Sequence, residues 1–336
     1  MIVKLKEILK KISFIVEIKT KLSGRKELNR RFTYEKNRYA KSSFKIGLSS
    51  DFQHLKALLF LFSHALEKGL SRTNFRPGFG EAVLLELKRT MNKFNDSKHD
   101  KNTGEYVMAL ATLKAYYDKH KEITVPKHFT DYFESYMGEI LDAEAKQGGV
   151  NILTKDKKEK NKDADYKTLF ENRVSIREFS DEPVDIELIN EAISLSMKTP
   201  TVCNRQSQRV KIITNPELIE KVLRYQGGFS GYKSPPVLAL VTTDLRDFGN
   251  NEYKSTYIDG GLFGMSLLLS LEYVGLAACA LNATQVVQVE EKIREILELP
   301  LYENTIMFIV IGKFKDEVSY PVSWRKETEE ITTFFN

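Results

Sequence analysis

The residue types best suited to binding an anion lie at the start of the second half of the chain. Arg173, Ser175 and Arg177 alternate along the segment RVSIR. If this segment is extended, its alternate side chains face one side, so two guanidinium groups would flank a hydroxyl group. That arrangement suits a phosphate, because each guanidinium offers paired donors. A solvated charged strand would have the same spacing, so the pattern by itself leaves both interpretations open.

Two further polar clusters follow along the chain. The first is the segment TPTVCNRQ, a loop after a predicted helix, which contains Asn204 and Gln206. The second is the segment SWRK, which contains Ser323 and Arg325 and follows the last apolar strand. Together with the first cluster they give this half of the chain a dense set of anion-binding and hydrogen-bonding residues.

The second half lacks other catalytic groups. All five histidines lie before it, the last at His128, which excludes a histidine-based triad or a typical zinc site from this half. Cys203 and Cys279 lie in or near apolar stretches and are predicted to be packing residues. No P-loop, HExxH or GxGxxG motif occurs there, and we assign no metal ligand. A domain without its own acid, base and nucleophile often uses a cofactor.

Length and composition set the class of protein. The 336 residues suggest two domains, or one domain with a large extension. A net charge of +5 is too mild to indicate a protein that binds nucleic acid. Two cysteines without a CxxC spacing fit a reducing compartment, so we expect a cytoplasmic protein.

The first half, residues 1–150, is predicted to be helical. Residues 1–22 carry apolar residues at helical spacing with lysines between them. This pattern suits weak contact with an anionic membrane surface or packing on protein, and packing is the commoner case. Residues 23–50 are basic and polar, which predicts a loop or a loosely docked segment. Further helices are predicted from about 51 to a cap at Gly69, and over about 81–94, 104–120 and 128–145.

The pattern changes after residue 145. Residues 146–165 are highly charged and poor in large apolar side chains, so we expect a linker over 151–165 that buries too little surface to become ordered. In residues 166–336 short apolar strands alternate with helices, which predicts an α/β or α+β sandwich around one central sheet. The strands are RVKIIT, PVLALVTT, LAACAL and TIMFIVIG, and the helices cover about 185–198, 216–226, 256–274 and 286–298.

The helix over about 256–274 contains too few consecutive apolar residues to cross a bilayer. Asp259 and Glu272 limit its apolar part, and Gly260, Gly261 and Gly264 would let another backbone approach closely. We therefore predict a helix of the core or of a dimer interface.

The order of the motifs in this half resembles the nitroreductase family. The matching elements are, in chain order, Arg173-x-Ser175-x-Arg177 followed by Phe179, Pro200-x-x-x-Asn204-x-Gln206, Pro235-Pro236, Tyr273-Val274-Gly275-Leu276, Ile311-Gly312 and Arg325-Lys326. Each element is short, but all occur in the family's order with suitable gaps. The resemblance covers essentially all of residues 165–336.

The resemblance implies an α+β fold, a nitroreductase-like sandwich with a central, mainly antiparallel sheet flanked by helices. It implies a homodimer with each FMN site at the subunit interface, and NAD(P)H as a co-substrate. Arg173, Ser175, Arg177 and Arg325 would then bind the ribityl phosphate and nearby flavin oxygens, with Asn204 beside the isoalloxazine ring. Other family positions that would contact the flavin are Gln206, Leu281, Asn282 and Ser323. The sequence departs from many relatives at Ser207-Gln208, where they have Pro-Trp, and at Ser323, where some have a basic residue.

The helical half is similar to the N-terminal extension of a nitroreductase-like subgroup often associated with bacterial surface-polysaccharide genes. The segments HALEKGL (64–70) and RPGFG (76–80) carry this similarity. His64, Glu67 and Lys68 fall on one helix face and could form a lid or an anion-binding edge over the flavin. A Glu–Lys pair on the surface with a buried histidine is the commoner arrangement and is the one we expect.

Three functions stay open at this point. The first is an FMN-dependent oxidoreductase in which NAD(P)H and a small organic acceptor react in two steps, with a link to surface-polysaccharide metabolism. The second keeps the flavin but not the nicotinamide, because one fold can host different chemistries. The third is a non-catalytic scaffold protein at a membrane surface.

Overall fold

A long helix, α1 (Ile2–Ser42), opens the chain. The structure is a computed structural model that describes residues 2–44, 46, 48, 50–250 and 252–335, without the side chains of residues 2–13 and 145. The helix predicted within residues 1–22 is confirmed, but the loop predicted for 23–50 is wrong as far as residue 42. Arg, Lys and Glu dominate this stretch and are good helix formers, so basic composition did not imply a loop.

The later part of α1 contacts the rest of the chain closely. The ring of Phe32 lies 5.2 Å from that of Tyr253, and Glu35 forms a 2.9 Å ion pair with Lys254. By contrast, Phe14 and Leu22 are exposed. The contact of residues 1–22 with a membrane surface or with protein therefore stays a prediction.

The helical half is a bundle around one apolar core. Its helices are α2 (Phe52–Leu70), α3 (Glu81–Asp96), α4 (Gly104–Lys121), α5 (Lys127–Phe133) and α6 (Met137–Asp142). Asp51 caps α2 by accepting hydrogen bonds from the N–H groups of Gln53 and His54. Gly69 lies within α2 and is not its cap. A Cβ there would lie 1.9 Å from the Phe79 ring, so close packing explains this glycine.

The segment predicted to be a linker is ordered. It contains β1 (Val150–Thr154) and α7 (Lys155–Glu159), and α8 (Tyr166–Asn172) follows it. Strand β1 pairs antiparallel with the last strand, β6 (Glu317–Pro321). The expectation that these residues bury too little to become ordered is wrong, because strand pairing and buried polar contacts replace apolar burial.

The buried polar contacts of this segment centre on Lys158. Lys158 and Glu272 are each 3% exposed and form an ion pair of 2.5 Å. Lys158 Nζ also donates to the carbonyl of Leu276 at 3.0 Å, and Asn161 Nδ2 donates to Glu272 at 2.7 Å. Burial lowers the pKa of Lys158, while Glu272 acts in the opposite direction.

A four-stranded antiparallel sheet forms the centre of the second half. Its strands are β2 (Gln208–Ile213), β3 (Val237–Asp244), β4 (Ala277–Asn282) and β5 (Glu303–Gly312), in the order β2-β3-β5-β4. All four strands were predicted from their apolar runs. The short, half-exposed β1 and β6 were not, because neither contains such a run.

Helices cover both faces of this sheet. On one face, α9 (Ile186–Ser196) and α11 (Tyr253–Tyr273) pack against residues such as Ala239 and Val241. On the other face, α10 (Pro216–Gln226) and α12 (Val287–Ile296) pack against Leu238 and Leu240. This alternation along β3 is that of a strand buried on both sides. The predicted α+β sandwich with a helical region before it is confirmed.

Helix α11 has one face on the sheet and another exposed. A Cβ at Gly260 would lie 2.5 Å from Ile306, and one at Gly264 would lie 2.4 Å from Met307. These glycines therefore admit side chains of β5, not the backbone that we expected. On the opposite face Ile258 and Leu262 are exposed. Among the helices of the described ranges, none is long and apolar enough to span a membrane.

Candidate active site

A cavity of about 590 Å³ lies where the helical half meets the start and the end of the second half. Chain segments that are far apart in sequence line it. The segment after α8, the segment after β6 and helix α2 contribute, among others, Arg173, Ser175, Arg177, Ser323, Arg325, Phe60 and His64. Five of the nine residues predicted to bind the cofactor therefore line one cavity.

The guanidinium groups in this cavity lack carboxylate partners. Neither Arg173, Arg177 nor Arg325 forms an ion pair with any residue in the described part of the chain. Arg177 Nε is buried and has no hydrogen-bond partner among the same residues. Burial lowers the pKa of Arg173, and although Glu272 opposes this shift, the charge of Arg325 adds to it. An anion bound here would compensate these charges.

Lys68 adds to the positive charge near this cavity. Burial lowers its pKa, and the nearby charges of Arg177 and Arg72 lower it further. Arg72 packs over the ring of Tyr232 and donates to the carbonyl of Ser230 at 2.6 Å, which holds this end of α2 against the second half.

The segment that carries Arg325 is fixed by the helical half. Trp324 stacks on Phe60, with ring centroids 5.9 Å apart and an interplanar angle of 19°. Trp324 also lies against Gly104, where an added Cβ would be 2.1 Å from the indole ring. The next residue, Lys326, forms a 2.9 Å ion pair with the fully buried Glu105. The position of Arg325 therefore depends on α2 and α4.

Acidification should release the segment that carries Trp324, Arg325 and Lys326 from the helical half. Burial by itself would raise the pKa of Glu105, but its contacts with Lys326 and Lys56 hold the net pKa below the ordinary value of 4.5. The stabilisation by the ion pairs of Glu105 is therefore complete above pH 4.5, and it is lost as the pH falls through the lowered pKa of Glu105. Trp324 is the only tryptophan, so its emission should shift to the red in that range while far-ultraviolet circular dichroism is unchanged. Glu105→Gln should show the shifted emission already at pH 7; a transition that persists in this variant would contradict the assignment.

The positions of Glu67 and His64 differ from the expected arrangement, which was a Glu–Lys pair on the surface with a buried histidine. Glu67 is 0% exposed, accepts the N–H of Gly149 at 3.1 Å and forms no ion pair with Lys68 in the described structure. His64 is not buried, since 39% of its side chain is exposed, and it lines the cavity. Its Nδ1 lies 3.4 Å from Glu67 Oε2 and 3.5 Å from Ser323 Oγ. The sequence favoured a buried histidine over an anion-binding edge, whereas α2 brings His64 to the cavity beside the second half.

Asn204 and Gln206 do not line the cavity and are exposed. Their loop has an unusual backbone, because Cys203, Asn204 and Gln206 have φ angles of 49°, 55° and 54°. Residues other than glycine rarely adopt this conformation, and such strain is concentrated at functional sites. Ser323, which does line the cavity, has a φ angle of 51°.

Side chains from α11 and the segment before it hold the strained loop. The carboxylate of Asp259 accepts the N–H of Val202 at 3.1 and 3.2 Å. Arg205 donates to both oxygens of Glu252, at 2.8 and 2.7 Å, and this interaction lowers the pKa of Glu252 to about 2. The loop is therefore fixed beside the exposed face of α11.

The remaining predicted residues lie in and beside the sheet. Leu281 is buried in the core, and Asn282 ends β4, where its carbonyl accepts a 3.0 Å hydrogen bond from Gln226. Neither lines the cavity. Cys279 is buried, as predicted, whereas Cys203 is exposed, so the packing role predicted for Cys203 is wrong.

Comparison with known proteins identifies this half of the chain. Residues 170–230 and 227–313 match the model of the Nitroreductase family. Together with the α+β sandwich, this match supports an FMN-dependent oxidoreductase. The match lies within the second half of the chain, which is therefore similar to the Nitroreductase family.

Solved structures show similarity to about half of the chain. A nitroreductase family protein from Clostridium difficile 630 is 22% identical, with coverage of 52% of this chain and 99% of that one and a TM-score of 0.43. A nitroreductase-like protein from Streptococcus mutans is 17% identical, with coverage of 51% and 98% and a TM-score of 0.44. The hypothetical oxidoreductase YcnD from Bacillus subtilis is 25% identical, with coverage of 48% and 72% and a TM-score of 0.41.

Proposed function

We propose that the cavity binds FMN with its phosphate against Arg173, Arg177 and Arg325. The observation that carries this proposal is the convergence of three guanidinium groups that lack carboxylate partners in the described structure. Ser175 and Ser323 add hydroxyl groups that can donate to phosphate oxygens. The buried, unpartnered Nε of Arg177 is a donor that such a ligand would satisfy.

The size and lining of the cavity also fit a cofactor. Its volume of about 590 Å³ lies within the range of roughly 300–1,000 Å³ usual for small-molecule sites. Phe60, Val174 and Trp324 give it an apolar wall that excludes water. The arginines, in contrast, lie together and are half-buried or exposed. An anionic group attached to an apolar body would match both surfaces.

The proposed reaction is electron transfer from NAD(P)H to a small organic acceptor in two steps. When bound, the flavin supplies hydride-transfer chemistry that no side chain of this site offers. The protein would hold the cofactor by its phosphate, fix its orientation and leave one side open to each substrate in turn. From the resemblance of the helical half, we propose an acceptor from surface-polysaccharide metabolism. Two free cysteines, Cys203 and Cys279, are consistent with the reducing cytoplasm.

An absorption spectrum of the purified full-length protein tests this function. We expect a yellow protein whose flavin absorbance bleaches anaerobically with NADH or NADPH and returns when an acceptor is added. Candidate acceptors, including quinones and nucleotide sugars that carry a ketone group, can then be compared by their reoxidation rates. Bound flavin that neither nicotinamide reduces would favour the non-nicotinamide chemistry. A colourless protein that takes up no added FMN would favour the scaffold function.

We also propose that the protein works as a homodimer. The exposed apolar face of α11, with Ile258 and Leu262, adjoins the strained loop of Asn204. Exposed apolar surface of this kind often marks an interface. A second copy packed on this face would bring Asn204 of one chain towards the cavity of the other. Sedimentation velocity should give the mass of a dimer, and Leu262→Arg should give a monomer; a monomeric parent protein would contradict the proposal.

A further inference from the structure

We propose that His64 of the helical half is a ligand of the cofactor's phosphate, and that Glu67 positions its ring. This inference rests on the proposed binding of FMN and deepens it. It gives the helical half a direct part in cofactor binding. The phosphate site is then built by both halves of the chain, and the residues after β6 lie between them.

Contacts on both sides fix the position of His64. Glu67 is fully buried and accepts the N–H of Gly149, whose carbonyl in turn accepts the N–H of Val322 at 3.1 Å. The same carboxylate faces His64 Nδ1 at 3.4 Å, where it can accept a hydrogen bond from Nδ1–H and fix the orientation of the ring. Glu67 therefore joins the histidine to the strand pair that leads to Ser323.

The surroundings of His64 favour an anion as its ligand. The ring lines the same cavity as Arg173, Arg177 and Arg325, and its Nδ1 lies 3.5 Å from the hydroxyl of Ser323. Glu67 is the only carboxylate within ion-pair distance of this ring in the described structure. The ring is 39% exposed and lines a cavity that cations and hydroxyls also line. A phosphate among these groups would be within reach of both halves.

A purely structural role for His64 makes a different prediction. If His64 only packs α2 against the second half, its loss should weaken the binding of every ligand of the cavity to the same extent. If His64 binds the phosphate, its loss should weaken the binding of FMN but not of riboflavin, which lacks the phosphate. The comparison of these two flavins therefore separates the two roles.

The experiment measures Kd for FMN and for riboflavin by quenching of flavin fluorescence, with the full-length protein stripped of flavin. We expect His64→Ala to weaken FMN binding about tenfold and to leave riboflavin binding within about twofold. His64→Gln keeps a hydrogen-bond donor and should lose less affinity for FMN. Glu67→Gln should weaken FMN binding with the same selectivity, because Glu67 acts on the phosphate through the orientation of the ring.

His128→Ala is the matched control, because His128 lies on α5 and does not line the cavity. It should leave both dissociation constants unchanged, and circular dichroism should confirm that every variant is folded. Equal weakening of FMN and riboflavin by His64→Ala, or no effect on FMN, would overturn the role of His64 while the proposed function stands. If the parent protein binds neither flavin, the proposed function itself fails and this inference fails with it.

Discussion

Replacing Arg173 and Arg177 together with alanine should give a folded but colourless protein that takes up no FMN at micromolar concentrations. Both side chains line the cavity and lack carboxylate partners in the described structure. A hydrogen bond to a charged group contributes about 1.5–3 kcal/mol, so each lost guanidinium should weaken binding about ten- to hundredfold. The flavin content of the purified variant and its Kd for added FMN measure the effect.

Arg224→Ala is the matched control for these substitutions. Arg224 is an exposed arginine of α10 whose partner is Glu220, at 3.3 Å, and it does not line the cavity. The control should remain yellow, and its Kd for FMN should equal that of the parent protein. Retention of the flavin by the double variant would show that the phosphate binds elsewhere.

Lys158→Met should lower the free energy of unfolding by about 3–5 kcal/mol, a large part of the stability of a typical domain. Lys158 and Glu272 are each 3% exposed, so the substitution leaves a carboxylate buried without its cation. Asn161 still donates to Glu272 but carries no charge. Urea unfolding followed by circular dichroism measures the loss.

The exposed neighbour Lys157 provides the control for this substitution. Lys157→Met should change the free energy of unfolding by less than about 0.5 kcal/mol. The double variant Lys158→Met/Glu272→Met removes both charges and should recover much of the loss, because an apolar pair can replace a buried ion pair. A single variant as stable as the parent protein would show that the pair is more hydrated than its burial indicates.

The sheet of the second half could be predicted because its strands have a strong local signal. Each of β2, β3, β4 and β5 contains an apolar run, and the helices between them begin and end close to the expected residues. Residues 23–42 and 146–165 were harder, because both are highly charged. Charge alone does not distinguish a solvated loop from a helix of good helix formers, or from a segment held by a buried ion pair. The partner in such a buried ion pair can be distant in sequence, as Glu272 is from Lys158.

The candidate site was only partly predictable for a related reason. The spacing of Arg173, Ser175 and Arg177 indicated an anion site, and the structure brings these residues to one cavity with Arg325. This local pattern could not show that α2 forms the other side of the cavity and brings His64 to it. Local spacing predicts which residues share a face, whereas the meeting of two faces depends on how the halves of the chain pack.

During synthesis, β1 leaves the ribosome long before β6, its only strand partner among the described residues. Until then β1 has an unpaired edge, and such edges favour association with other chains. Arg325 follows β6, so the guanidinium groups can meet only after nearly all of the second half has been made. Cofactor uptake is thus expected to be a late, post-translational event, and a chain truncated before residue 317 should be isolated without flavin.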